Sequence, residues 1–233
     1  MNVAAAAGPD RAVPPEVKIC GLTRERDAQH AVTTGASYIG AIMAGGPRLL
    51  TMDRARAVLG PRRHDVQRVV VFGDQHPDDV IVTVQTLDLD VAQLHGAYTA
   101  ASIDTIRRET GRMVWPVLRV AGTMLPDDAA ALGASAGTVV LDAHVVGQLG
   151  GTGVALDWSG LRNAVGALRE SVPGIRIILA GGLRPRNVIE AIRLLSPDVV
   201  DVSSGVESET GLKDPMLVEQ FVAAVRSAAG MQR

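Results

Sequence analysis

The chain has 233 residues, of which 47% are hydrophobic and 21% are charged, a balance typical of a globular protein rather than a disordered one. Its formal net charge of −2 gives no electrostatic reason to expect binding to nucleic acid or to an acidic membrane surface. A single cysteine cannot form an internal disulfide, which excludes a secreted disulfide scaffold. No apolar run reaches the roughly 18 residues of a membrane span, so we expect a cytoplasmic protein that does not enter membranes.

Residues 1–16, MNVAAAAGPDRAVPPE, are rich in alanine and proline. They lack a basic start followed by a long apolar core, which is the pattern of a signal peptide. We expect a disordered or loosely packed N-terminal extension over residues 1–16. No linker or change of composition interrupts residues 17–233, so we expect this part of the chain to form one domain.

From residue 17 onward, short runs rich in valine, isoleucine and leucine alternate with longer segments that have helical spacing. The apolar runs predict eight strands, at Val17–Gly21, Tyr38–Met43, Arg68–Gly73, Asp90–His95, Met113–Val120, Thr138–Asp142, Ile175–Ala180 and Val199–Ser203. The segments between and after them predict helices at Arg24–Thr34, Met52–Leu59, Pro77–Leu87, Ala100–Thr110, Pro126–Leu132, Asp157–Ser171, Pro185–Leu195 and Pro215–Ala229.

This strict alternation predicts a parallel sheet, and strands that are apolar along their whole length predict a sheet covered on both faces. Eight such units in one chain favour a single (β/α)8 TIM barrel over an open, doubly wound sheet of the same α/β class. Functional groups of such barrels lie at the C-terminal ends of the strands and in the loops that follow. Polar residues at these places are Cys20, Gln93, His95, Arg119, Asp142, Ser203 and Ser204, with Arg48 in the loop after the second strand.

Cys20 has two interpretations. A buried free cysteine usually behaves as a small inert hydrophobe. A position at a strand end, before Gly21 and near Lys18, instead favours a reactive thiolate. Because side chains alternate along a strand and the first and last strands of a barrel are neighbours, we expect Lys18 and Asp201 to form a buried ion pair. The alternative is that one of the two points toward the helices and reaches solvent.

Asp142 and three glycine-rich loops suggest a site for acid–base chemistry on a phosphorylated molecule. Burial at the end of an apolar strand favours the protonated carboxyl group that a general acid needs, although Asp142 could instead be a helix cap or ion-pair partner. Loops after the seventh and eighth strands of such barrels often bind phosphate, since glycine lets backbone N–H groups approach an anion and serine adds donors. The glycine-rich loops comprise 150–153, 180–183 and 203–207, and nothing in the chain resembles a metal-ligand set.

Six stretches spread over the chain after residue 16 carry a resemblance to a known family. They are VKICGLT (17–23), GPR (46–48), QLHG (93–96), LDAHVVGQLGGTG (141–153), LAGGLRPRNV (179–188) and DVSSGVESETGLKDP (201–215). Together they resemble the phosphoribosylanthranilate isomerases of tryptophan biosynthesis. The resemblance implies an Amadori rearrangement of N-(5-phosphoribosyl)anthranilate to an aminoketose. It also implies that no cofactor is needed, because an iminium intermediate is itself the electron sink.

The resemblance further implies roles for individual residues. Asp142 is similar to the general acid that protonates the ribose ring oxygen, and Cys20 to the general base that removes the proton from C2. Arg48 resembles the group that holds the anthranilate carboxylate. The residues similar to a phosphate cradle are Gly181, Gly182, Ser203, Ser204 and Gly205. Further expected substrate contacts are Lys18, Gln93, His95, Gly151, Thr152 and Gly153.

The chain departs from the family pattern in two places. The family often has Ser-Pro-Arg followed by an aromatic residue after the second strand, where this chain has Gly46-Pro47-Arg48-Leu49, and residues 73–76 lack the commoner asparagine. Related histidine-pathway and dual-substrate barrels, which are one alternative, place an aspartate at the end of the first strand instead of a cysteine. A non-catalytic sugar-phosphate-binding relative is the other alternative. Both a monomer and a homodimer are compatible with the sequence.

Overall fold

The computed structural model describes residues 13–143 and 156–228. Its barrel strands are β1 (Glu16–Ile19), β2 (Tyr38–Ile42), β3 (Gln67–Phe72), β4 (Val91–Leu94), β5 (Met113–Val120), β6 (Thr138–Ala143), β7 (Arg176–Leu179) and β8 (Val199–Val202). The α-helices are α1 (Glu25–Thr34), α2 (Met52–Leu59), α3 (Pro77–Leu87), α4 (Ala100–Thr110), α5 (Ala129–Ala136), α6 (Trp158–Ser171), α7 (Val188–Leu195) and α8 (Pro215–Ala228).

The strands close into a barrel in chain order, with parallel pairing throughout and β1 paired to β8. The predicted (β/α)8 barrel is therefore confirmed, and the open sheet is wrong. Apolar side chains on the outward faces of the strands pack against the helices and form the larger of two cores. The smaller core fills the barrel interior and consists of Tyr38, Val69, Val91, Trp115, Val117, Val140, Ile178, Ala180 and Val199. Because side chains fill the interior, the polar groups above it line a cavity and not a channel.

Two helices begin three residues later than the sequence predicts. The expected helix from Pro126 starts at Ala129 and continues to Ala136, where Gly137 ends it with a φ of 70°. The expected helix from Pro185 starts at Val188, because Asn187 accepts a hydrogen bond from the Arg184 amide and donates one to the Gly182 carbonyl. That turn braces the loop after β7, so the later start matters for the site.

A short hairpin between β8 and α8 was not predicted. A 3-10 turn over Ser204–Val206 leads into β9 (Glu207–Glu209), which pairs antiparallel with β10 (Leu212–Lys213). Strands of three and two residues are too short to show a periodic pattern. The hairpin brings charged side chains back toward the barrel mouth. Among the described helices, none is long and apolar enough to cross a membrane.

Candidate active site

A cavity opens at the C-terminal ends of the barrel strands, where the sequence places the chemistry. Ten of the predicted site residues line it: Cys20, Arg48, Gln93, His95, Asp142, Gly181, Gly182, Ser203, Ser204 and Gly205. Residues 151–153 and His144 lie outside the described residues. Lys18 does not line the cavity but lies fully buried beneath it.

Lys18 and Asp201 form the predicted ion pair. The two residues are directly paired between β1 and β8, and Lys18 Nζ donates to Asp201 Oδ2 at 2.7 Å. The side chain of Lys18 is 0% exposed and that of Asp201 is 6% exposed, so the alternative in which one reaches solvent is wrong. Asp201 also lines the cavity, which makes the pair the floor of the site on this side.

The surroundings of Lys18 and Cys20 favour a protonated lysine beneath a neutral thiol. Burial lowers the pKa of Lys18, but the charge of Asp201 is the main opposing influence, and the pKa stays above its usual value. Burial is the strongest influence on Cys20 and raises the pKa of its thiol, while Lys18 pulls that pKa back down. Burial therefore disfavours the thiolate form that the sequence suggests. Lys18 is the strongest influence that lowers the pKa of Cys20 toward the thiolate, and Lys213 acts in the same direction.

Gly40 on β2 provides the space that Cys20 and Lys18 occupy. A Cβ atom at this position would lie 3.1 Å from Cys20 Sγ and 3.3 Å from Lys18 Cε. These distances are tighter than nine in ten real Cβ contacts, so a larger residue would require the thiol or the lysine stem to shift by a few tenths of an ångström. The sequence contains no signal for this requirement, because a glycine inside a strand also occurs at bulges and bends.

On the other side of the cavity, Asp142 pairs with a histidine. Asp142 Oδ2 lies 3.1 Å from His95 Nε2, and the side chains are 13% and 9% exposed. Arg119, directly paired with Asp142 between β5 and β6, donates through Nη2 to the His95 carbonyl at 2.7 Å. Neighbouring strands thus fix the carboxyl group while leaving it at the cavity wall.

Arg48 is held by a carboxylate that the sequence did not assign. Its Nε and Nη2 atoms donate to the two oxygens of Glu207 at 2.8 and 2.6 Å. Lys213 Nζ donates to Glu207 Oε1 at 2.7 Å and to the Ser203 carbonyl at 3.1 Å. All three charged side chains are at least nine-tenths buried. The unpredicted hairpin is therefore what brings Glu207 and Lys213 to Arg48.

The loops after β7 and β8 bring closely packed glycine backbones to the cavity. Gly181 and Gly182 adopt φ angles of 84° and 67°, which side chains rarely tolerate. Gly205 is packed so closely against the Leu183 carbonyl that no Cβ atom fits. The two loops consequently lie against each other, with Ser203 and Ser204 beside them at the cavity.

Among the residues that the structure describes, three buried side-chain atoms of the cavity have no hydrogen-bond partner: Gln93 Oε1, Asp201 Oδ1 and Ser203 Oγ. Burying a polar atom without a partner costs about 1–3 kcal/mol, and a ligand that supplies the missing hydrogen bonds would offset that cost. A polar ligand therefore suits this cavity. Within the described ranges, no group of three or more His, Cys, Asp or Glu side chains could hold a metal ion.

Comparisons with known proteins agree with this geometry. Residues 17–224 match the family model described as N-(5′phosphoribosyl)anthranilate (PRA) isomerase. The chain belongs to this family. A curated relative from Paramagnetospirillum magneticum, named N-(5′-phosphoribosyl)anthranilate isomerase, is 40% identical over 220 residues, which cover 92% of this chain and 98% of the relative.

Solved structures of PRA isomerases are similar over almost the whole chain. The phosphoribosyl anthranilate isomerase from Thermus thermophilus is 32% identical with a TM-score of 0.75, over 91% of this chain and 98% of that one. A second structure, 26% identical with a TM-score of 0.73, covers 91% of this chain and 99% of the other. That protein is in complex with reduced 1-(o-carboxyphenylamino)-1-deoxyribulose 5-phosphate.

Proposed function

We propose that this PRA isomerase converts N-(5-phosphoribosyl)anthranilate to 1-(2-carboxyphenylamino)-1-deoxyribulose 5-phosphate in tryptophan biosynthesis, without a cofactor. The observation that carries the proposal is the convergence of Cys20 and Asp142 on one cavity. Strands β7 and β8, which supply the glycine and serine loops, lie between the strands of these two residues. The solved relative in complex with a reduced form of this product supports the same substrate class.

Asp142 is the proposed general acid. It gives a proton to the ribose ring oxygen as the bond from that oxygen to C1 breaks, and the anthranilate nitrogen lone pair forms the C1–N double bond of an iminium. A protonated donor within reach of the leaving oxygen typically contributes about 100- to 10,000-fold to such a step. His95, held by Arg119, keeps the carboxyl group in position at the cavity wall.

Cys20 is the proposed general base. Its thiolate takes the proton from C2, and the C–H electrons form a C1–C2 double bond and neutralise the iminium. The resulting enolamine then loses its O2 proton and gains one at C1, which yields the ketone. The iminium acidifies C2, so a thiolate is a sufficient base. Lys18 lies beneath Cys20 and supports the thiolate form, and Asp201 holds Lys18 in place.

The two ends of the substrate have separate binding sites in this proposal. The phosphate binds at Gly181, Gly182, Ser203, Ser204 and Gly205, where close glycine backbones and serine hydroxyls suit an anion. Arg48 binds the anthranilate carboxylate. Gln93, His95 and residues 151–153 are the remaining proposed contacts. We also propose a cytoplasmic location and a domain that spans residues 17–233, as a monomer or a homodimer.

Assay of the purified protein with two substrates tests the function. Loss of phosphoribosylanthranilate fluorescence should be enzyme-dependent, whereas the imidazole substrate of the histidine-pathway isomerases should turn over at a rate at least about 100-fold lower. Comparable turnover of both substrates would establish the dual-substrate alternative. Turnover of neither would establish the non-catalytic one.

Replacement of Arg48 tests the carboxylate site. Arg48→Ala should raise KM for phosphoribosylanthranilate at least about tenfold, because a charge-assisted hydrogen bond is lost. Turnover should fall less, through poorer orientation. An unchanged KM would exclude Arg48 from this site.

A further inference from the structure

The Arg48–Glu207–Lys213 cluster has a net positive charge that its own ion pairs do not neutralise. It contains two cations and one carboxylate, with side chains 9%, 5% and 2% exposed for Arg48, Glu207 and Lys213. A buried surplus of positive charge is unfavourable unless another anion joins it. Arg48 lines the cavity, so an anion bound in the cavity can reach the cluster through the guanidinium.

Glu207 occupies one particular edge of the guanidinium. It accepts from Nε and Nη2, which form the side-on edge. Arginine has five N–H donors, so three remain, and two of these lie on the end-on edge formed by Nη1 and Nη2. The planar group is therefore oriented by a carboxylate behind it while keeping the geometry for a second, bidentate carboxylate.

Lys213 and Gly21 complete this arrangement. Burial raises the pKa of Glu207, but hydrogen bonds from Arg48 and Lys213 outweigh burial and keep the carboxylate ionised.

Gly21 adopts a φ of 68°, and a Cβ atom there would lie 2.7 Å from Arg48 Cδ and from Ser203 Oγ. The arginine stem thus packs against the backbone directly after Cys20, and Lys213 Nζ donates to the Ser203 carbonyl.

We propose that Glu207 is a positioning residue, which fixes Arg48 so that its end-on edge selects substrates with a carboxylate on the aromatic ring. The proposal rests on the function proposed above and deepens it, because it assigns the recognition of one substrate group to a carboxylate that does not touch the substrate. Lys213 helps to keep Glu207 ionised and holds its carboxylate against Arg48.

Two physical effects of replacing Glu207 have opposite signs. Glu207→Gln removes a negative charge, and the rise in positive potential by itself would tighten the binding of a carboxylate. The same change removes the bidentate acceptor and leaves Arg48 and Lys213 to repel each other, which would turn the guanidinium away. If positioning is the role of Glu207, the second effect wins and binding weakens.

The experiment compares phosphoribosylanthranilate with its phosphoribosylaniline analogue, which lacks the carboxylate. Steady-state kinetics are measured for the unmodified protein, Glu207→Gln, and Glu209→Gln, an exposed position on the same strand β9. We expect Glu207→Gln to raise KM for the anthranilate substrate about tenfold with a smaller change in kcat. Neither constant should change for the aniline analogue, and Glu209→Gln should match the unmodified protein with both substrates.

An unchanged or lower KM for the carboxylate substrate would overturn the proposal, as would equal losses on both substrates, which indicate a merely structural role. If Glu207→Gln does not fold, Glu207→Asp replaces it. This variant keeps the charge but shortens its reach, and it should show the same carboxylate-dependent rise in KM. Failure of the unmodified protein to turn over phosphoribosylanthranilate would instead overturn the proposed function, so the two failures are distinct.

Discussion

The barrel interior has two layers, one apolar and one charged, which contribute differently to stability. The lower layer is apolar and contains Trp115, whose ring meets that of Tyr38 edge-on with centroids 4.9 Å apart. The upper layer contains Lys18 and Asp201, an ion pair that is equally buried. Apolar burial stabilises the fold directly, whereas a buried ion pair gains little net stability after its desolvation cost. The comparison therefore favours a functional role for the upper layer, in agreement with the general base proposed at Cys20.

The largest expected effect on stability comes from the lower layer. Trp115→Ala should lower the free energy of unfolding by about 3–5 kcal/mol, because a large side chain that is 1% exposed is lost and a cavity remains. The kinetic constants of the folded protein should change little. Denaturant unfolding measures the free energy of unfolding, and steady-state kinetics at low temperature measure the kinetic constants. A large loss of kcat in the folded protein would contradict a purely structural role for the lower layer.

In the upper layer, a single and a double replacement should differ. Lys18→Met should lower the free energy of unfolding by about 3–5 kcal/mol, because Asp201 is left buried without its partner. Lys18→Met combined with Asp201→Leu should restore most of that stability, since apolar groups then fill the space. The double variant should nevertheless stay inactive in the fluorescence assay. Recovery of activity together with stability would mean that the ion pair is only structural.

The pH dependence should show how Lys18 acts. Because burial raises the pKa of Cys20, kcat/KM should increase with pH through the neutral range and beyond, as the thiolate becomes populated. Lys18 lowers that pKa, so Lys18→Met should move the titration to higher pH. Cys20 is the only cysteine, so ultraviolet thiolate absorbance with Cys20→Ser as the blank measures it directly. A shift to lower pH would contradict the proposed role of the lysine.

The smallest expected effect concerns the space beside the thiol. Gly40→Ala should cost about 1–3 kcal/mol of stability, the usual range for overpacking, and should lower kcat by displacing Cys20 or Lys18. Gly166→Ala is a matched control, because a Cβ atom at that helical glycine meets nothing within 4 Å. Equal kinetics in the two variants would show that the fit around Cys20 Sγ has no catalytic importance.

The fold was largely predictable because each strand–helix unit has its own periodicity, and the Lys18–Asp201 pair followed from strand alternation and barrel closure. The start of α7 was not predictable, since it depends on the side chain of Asn187 bonding across a turn. Glu207 was also missed, although it lies within a recognised stretch. Its role depends on a hairpin too short to have a pattern and on a contact with Arg48 across 159 positions of sequence.

Cys20 and Asp142 are proposed to perform the proton transfers on phosphoribosylanthranilate. Single-turnover loss of substrate fluorescence tests this proposal most directly, because this measurement separates the chemical step from binding and product release. Cys20→Ala and Asp142→Ala should each slow that step at least about 100-fold, with the substrate dissociation constant nearly unchanged. A single-turnover rate close to that of the unmodified protein in either variant would contradict the role assigned to that residue.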